Sequence, residues 1–150
     1  MPHDRKIVML VDDDEVFLSE LQESLALTGY VPVPAGNGRD AVKIARRIIP
    51  DVILLDLKLG AENGFTVAAR IRKYPATARI PVIMMSGFFN EQEHSTLLAP
   101  SSVNIYLKKP FTQKDVVMAI QTVLSDQVVK PFDPLRQMVE KSRRKAGKRA

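Results

Sequence analysis

The chain has no cysteine, no tryptophan and only two histidines in 150 residues. Disulfides, thiolate chemistry and cysteine-based zinc sites are therefore excluded. His3 and His94 stand too far apart to read as a ligand pair, and surface placement is expected for both. Long hydrophobic runs are missing as well: the longest, Ile7 to Val11 and Val116 to Ile120, have five residues each, against the roughly 20 that cross a bilayer. Met1-Pro2-His3-Asp4 carries an acid and leads into an apolar stretch too short for a secretory signal, so the cytoplasm is the expected compartment. No glycine-rich phosphate loop follows the first apolar run. Asp12-Asp13-Asp14-Glu15 stands there instead, and its carboxylates would repel a flavin or dinucleotide.

Charge divides the chain unevenly. Residues 1–125 hold 14 basic and 14 acidic side chains, whereas residues 126–150 hold eight basic and three acidic, which accounts for the whole net charge of +5. One domain over 1–126 and a basic extension over 127–150 are expected. In the extension, Asp133-Pro134 reads as a cap and first helical residue ahead of Leu135, Met138 and Val139, a short helix before a polar end expected to be disordered. No separate DNA-binding domain is expected within the remaining residues.

Five short strand-like runs recur: Ile7–Val11, Val31–Val33, Val52–Leu55, Val82–Met85 and Ile105–Leu107. Helical spacing fills the intervals. Val16, Phe17, Leu21, Leu25 and Leu27 mark a first helix stopped by Gly29, and Ala41 to Ile48 a second stopped by Pro50. A third runs from Phe65 to Tyr74, a weaker fourth over about Glu91 to Leu98, and a fifth from Gln113 to Leu124. Runs apolar throughout, such as Val52-Ile53-Leu54-Leu55, suit strands covered on both faces, which makes a parallel α/β sheet. In such sheets ligands bind beyond the carboxyl ends of the strands.

At those ends stand Asp12 and Asp13, then Asp56, Ser86 and Lys109. Asp14 is expected to cap the helix that follows. Two carboxylates about 4 Å apart repel by roughly 4 kcal/mol at an effective dielectric of 20. Lys109 offsets one charge of Asp12, Asp13 and Asp56, and a divalent cation would offset the remainder. An all-oxygen set that leaves room for water and phosphate favours magnesium. Asp56, alone on its strand end, is the candidate nucleophile for phosphoryl transfer, with Lys109 and the Ser86 hydroxyl meeting the arriving oxygens.

These segments resemble the receiver domain of two-component response regulators. The matching runs are Ile7-Val8-Met9-Leu10-Val11-Asp12-Asp13-Asp14, Asp51 to Leu59 with Gly64 beyond it, Ile80 to Ser86, and Tyr106-Leu107-Lys108-Lys109-Pro110-Phe111, and the likeness covers about residues 5–126. It implies a flavodoxin-like (βα)5 fold, a three-layer sandwich with a parallel five-stranded sheet of strand order 2-1-3-4-5. It further implies that Asp56 accepts the phosphoryl group and that Asp13, Asp56 and the backbone carbonyl of Lys58 ligate Mg2+, with Asp12 acting through water. Lys109 would contact the phosphoryl oxygens, followed by a cis bond to Pro110. Ser86 and Tyr106 would form the switch, and Lys58 and Phe88 would tune the lifetime of the acyl phosphate, with slow self-hydrolysis expected. The implied partners are a sensor histidine kinase or histidine phosphotransfer protein upstream and a protein target on the fourth-helix, fifth-strand, fifth-helix face. A homodimer is among the assemblies allowed. Such a protein catalyses only its own phosphorylation and dephosphorylation.

The sequence departs from the family at Gly60, where proline is usual and a looser loop follows, at Gly87, and at Ser102-Val103-Asn104-Ile105. Phe88-Phe89 reads first as core, with shielding of the acyl phosphate by Phe88 as the alternative. Two rival functions stand beside the receiver. A haloacid-dehalogenase-like phosphatase would use Asp12, Asp14, Ser86 and Lys109 but lacks a later acidic pair and leaves Asp56 idle. A binding module would act through its basic tail on nucleic acid or an acidic partner.

Overall fold

The computed structural model describes residues 5–87 and 103–125. The expected fourth helix, Phe88 and Phe89, both histidines and the basic extension lie outside the described residues.

Aliphatic runs with no polar interruption form the centre of the sheet. β1 (Ile7–Val11), β3 (Val52–Asp56) and β6 (Val82–Ser86) are buried along nearly their whole length. Alternate side chains enter opposite cores because strand side chains point to alternate faces. Met9, Val11, Ile53, Leu55 and Met84 meet one helical layer; Val8, Leu10, Leu54, Ile83 and Met85 meet the other. β2 (Val31–Ala35) and β7 (Ile105–Lys108) are the edges, and all neighbouring strands pair in parallel. The order β2-β1-β3-β6-β7 is 2-1-3-4-5 when the five strands of this sheet are counted alone.

Four of the expected strands extend further than the apolar pattern, β2 by two residues and β3, β6 and β7 by one, so Asp56 and Ser86 are themselves the last residues of β3 and β6. The loop after Asp56 is not loose. β4 (Lys58–Leu59) and β5 (Glu62–Asn63) close it as a small antiparallel ladder, with Gly60 at φ +59° in its turn. Proline, confined to φ near −65°, could not take that place.

α1 (Glu15–Leu27) starts at Asp14, whose Oδ1 accepts the N–H groups of Val16 and Phe17 at 3.1 Å each. Its buried stripe is Leu18, Leu21 and Leu25; Val16 and Leu27, expected inside, are 68% and 79% exposed. Each lies two positions from a buried leucine, about 200° around a helix. Gly29, at φ +95°, follows the Thr28 cap as the expected stop. α1 and α4 (Gln113–Ser125) cover one face of the sheet, α4 through Val116, Ala119, Ile120 and Val123. α2 (Gly38–Ile48) and α3 (Gly64–Arg72) cover the other through Ala41, Ala45, Val67, Ala68 and Ile71.

β2 carries two prolines. Val31 N–H donates to Lys6 and the Ala35 carbonyl accepts from Asp12, so residues 31, 33 and 35 turn toward β1. Pro32 and Pro34 occupy the positions that turn away, where no donor is needed.

At the opposite end of the sheet from the acidic rim, Arg72 ties three segments together. Its Nη1 donates to the carbonyls of Ala78 and Ile80, at 2.8 and 2.5 Å, and its Nη2 to Asn104 Oδ1 at 3.1 Å. The same Oδ1 accepts the Val82 N–H at 2.9 Å. Asn104 belongs to the run where the sequence departs from the family, so the departure is occupied by a joint of its own.

Candidate phosphoryl-acceptor site

Parallel strands bring the residues that follow them to one rim, and five of the six residues expected at the site's centre and switch are found at strand ends there. Asp12, one residue past β1, is 1% exposed. Both of its oxygens are engaged: Oδ1 accepts the Asp14 N–H at 3.0 Å and Oδ2 accepts from Lys109 Nζ at 2.6 Å. Asp13 is exposed, beside the Gly60 turn, where an added Cβ would stand 3.8 Å from its Oδ2. Asp56 is buried, and its Oδ1 lies 3.6 Å from Lys109 Nζ. One carboxylate oxygen from each of Asp12, Asp13 and Asp56 falls within 4.8 Å of the others.

The electrostatic consequence appears on Asp56. Burial, then the neighbouring Asp12 charge, push its carboxyl up to about 6, against the opposing pull of Lys109 and a hydrogen bond from the Lys58 backbone N–H. Burial disfavours the charged form, and a like charge nearby adds to that cost. A divalent cation between the three carboxylates would relieve both, so the donor set fits a hard, oxygen-bound ion.

Lys109 is held from three sides. Besides Asp12 and Asp56, it lies over the ring of Phe17, 4.0 Å from the centroid, and Phe17 meets Phe111 edge to face at 5.8 Å. The periodicity of α1 marks Phe17 as core and gives no hint of this contact, because its partner is far away in sequence. Lys109 N–H also donates to the Ser86 carbonyl at 2.8 Å, and the Lys109–Pro110 bond is cis, as the resemblance implied.

Ser86 is 2% exposed. Asp56 is in register with Met85, which places Ser86 one residue further toward the rim. Tyr106 is set back from the rim, in register with Met84 and half-buried against the α2–α3 core. Burial pushes its phenol up to about 12, so it stays neutral. Lys58 is exposed on β4.

Gly64 determines how close α3 can come. A Cβ there would lie 2.5 Å from the Asp56 carbonyl oxygen and 3.0 Å from Met84 Sδ, and the Gly64 N–H donates to the Leu57 carbonyl at 2.7 Å.

No helix among the described residues is long and apolar enough to cross a membrane. The chain is 30% identical over 119 residues to protein PilH of Pseudomonas aeruginosa, covering 79% of this chain and 97% of that protein. It is 31% identical over 117 residues to the DNA-binding dual master transcriptional regulator RpaA of Synechocystis, covering 78% of this chain but 48% of the relative. The chain thus spans about half the length of several curated relatives it matches. Among solved structures, the receiver domain of sensor histidine kinase PA1611 from P. aeruginosa, with a magnesium ion coordinated in its active-site cleft, superposes with a TM-score of 0.72 at 27% identity, over 79% of this chain and 96% of that one. Residues 8–121 match the response regulator receiver domain, and the chain belongs to that family.

Proposed function

We propose that Asp56 is the phosphoryl acceptor of a two-component phosphorelay. The single observation that carries this is the convergence of Asp12, Asp13 and Asp56 within 4.8 Å beside Lys109. In the transfer, an Asp56 carboxylate oxygen forms a bond to phosphorus while the phosphorus–nitrogen bond of a phosphohistidine donor breaks, and the released imidazole takes a proton from solvent. The donor is a sensor histidine kinase or a histidine phosphotransfer protein.

Asp12, Asp13, Asp56 and the Lys58 backbone carbonyl would hold Mg2+, with Asp12 acting largely through water. When bound, the ion supplies the positive charge that lets an acidic cleft receive a phosphoryl group. Lys109 contacts the phosphoryl oxygens. It is already at the rim, so no long side chain has to be recruited from solvent. The Ser86 hydroxyl reads the new oxygens, and a hydrogen bond to a charged group contributes about 1.5–3 kcal/mol. Each 1.4 kcal/mol or so shifts a two-state equilibrium tenfold, so one such contact is enough to signal.

Tyr106 completes the switch, and the partner face includes β7 and α4. Lys58 and Phe88 tune the lifetime of the acyl phosphate. The protein catalyses its own modification only, and the cytoplasm is its expected compartment.

The test is incubation with magnesium and acetyl phosphate. One alkali-labile phosphoryl group should appear on Asp56, dependent on the metal and absent from Asp56→Asn. Stable phosphorylation of another residue, or none, rejects the assignment.

A further inference from the structure

The equal numbers of acids and bases in residues 1–125 conceal a separation that only the fold makes. α2, α3 and the turn to Arg79 carry eight basic residues, Arg72 of the carbonyl joint among them, against one acidic residue, Asp40, with Glu62 just ahead of α3 on β5. On the opposite face of the sheet, α1 and α4 carry four carboxylates, Glu15, Glu20, Glu23 and Asp115, against Lys114.

On α2 the bases form a stripe. Arg39, Lys43, Arg46 and Arg47 recur at intervals of four, three and one, and all four are exposed. At 100° per residue they lie within one side of the helix, opposite the buried Gly38, Ala41 and Ala45. Among the described residues no carboxylate pairs with Arg39, Lys43 or Arg47; the Glu62 carboxylate pairs instead with Arg70 of α3, at 3.0 Å. The Arg46 guanidinium is stacked 3.9 Å above the Tyr74 ring, which holds one positive group between α2 and the turn after α3.

We propose that the outer face of α2 and α3 binds the phosphate backbone of a nucleic acid without reading its sequence. A docked protein would want an apolar centre with charge at the rim. A membrane would want apolar side chains to insert beside the bases. Neither is present: of the large apolar side chains exposed among the described residues, only Ile49 adjoins this layer, and it lies past the end of α2. Arginine predominates, and its planar fork suits phosphate oxygens. From Arg39 to Arg47 the stripe runs about 12 Å, long enough to follow several backbone charges of a duplex. None of the four stripe residues is among those placed at the Asp56 site.

The basic extension is a competing source of affinity, so two variants of the full chain are compared. Arg39→Gln/Lys43→Gln/Arg47→Gln alters the stripe; Arg143→Gln/Arg144→Gln/Lys145→Gln alters the extension. Binding to labelled duplex DNA and to labelled single-stranded RNA is read by fluorescence anisotropy across a salt series, with polyglutamate and phosphatidylglycerol vesicles as rival ligands. The stripe variant should melt like the parent, bind at least about tenfold more weakly at roughly 50 mM salt, and on the duplex show a log–log salt slope smaller by about 2–3. If the triple variant melts early, Lys43→Gln and Arg47→Gln are read singly, each reducing the slope by about 0.9. The duplex and single-strand arms decide which nucleic acid is preferred. No oligonucleotide binding, binding unchanged by the stripe variant, or tighter binding of polyglutamate or vesicles overturns the proposal.

Discussion

Lys109 Nζ donates to Asp12 Oδ2 at 2.6 Å, one ångström nearer than its approach to Asp56 at 3.6 Å. The lysine proposed to meet the phosphoryl group is therefore engaged more closely by a neighbouring carboxylate. Asp12 also raises the Asp56 carboxyl directly by its charge. Asp12→Asn should release Lys109 toward Asp56 and remove that repulsion, so that Asp56 titrates below its value of about 6. Carboxyl-carbon NMR across a pH series in EDTA checks this. A midpoint that stays put would mean that burial alone sets it.

The raised carboxyl has a cost for the fold. In the metal-free protein Asp56 holds its proton more tightly folded than unfolded, so its contribution to stability is full below the ordinary carboxylate range and is lost as pH rises through about 6. Asp56→Asn should thus stabilise the chain at pH 8 in EDTA, on the order of 2–3 kcal/mol, with the advantage gone near pH 4. Magnesium should raise the melting temperature of the parent and not of the variant. Denaturant melts at the two pH values measure the difference.

A methyl group at position 64 would collide with the backbone of the proposed acceptor. Gly64→Ala should destabilise the protein by about 1–3 kcal/mol, the usual cost of overpacking. It should also slow phosphorylation by acetyl phosphate, because relief of the 2.5 Å contact requires Asp56 or α3 to move. Parent-like stability together with a parent-like rate would show that the backbone yields freely.

Arg72 and Asn104 act on the same carbonyl-rich joint and should not be additive. Asn104→Ala leaves the Val82 N–H without its side-chain acceptor, and Arg72→Ala leaves the carbonyls of Ala78 and Ile80 without their charged donor. Each should cost about 1–3 kcal/mol. The double variant should cost less than the sum by 0.5 kcal/mol or more, roughly the coupling expected of contacting residues. Urea unfolding of the four proteins completes the cycle, and strict additivity would contradict a shared network.

The sheet and its acidic rim were readable in the linear chain because both are local in sequence. Val52-Ile53-Leu54-Leu55 is apolar on both faces, and Asp56 follows it directly. Parallel topology then carries Asp12, Asp56 and Ser86 to the same edge without further information. The remainder depends on partners far apart in the chain. Lys109 over Phe17 and Arg72 on Asn104 have no periodic signature. The phase of α1 departs from its apolar spacing at the ends, where Val16 and Leu27 are apolar but exposed while Leu18 is buried. The even balance of charge along residues 1–125 carries no sign that α2 and α3 share a layer.

Pro32 and Pro34 bear on how this molecule can meet its own copies. A lone strand at the border of a sheet ordinarily offers a ladder on which another chain can build. Here two successive outward rungs lack their hydrogen, so a newcomer would gain carbonyl acceptors without the matching donors. Growth of the sheet on the β2 side is blocked by covalent structure, which no signal can reverse.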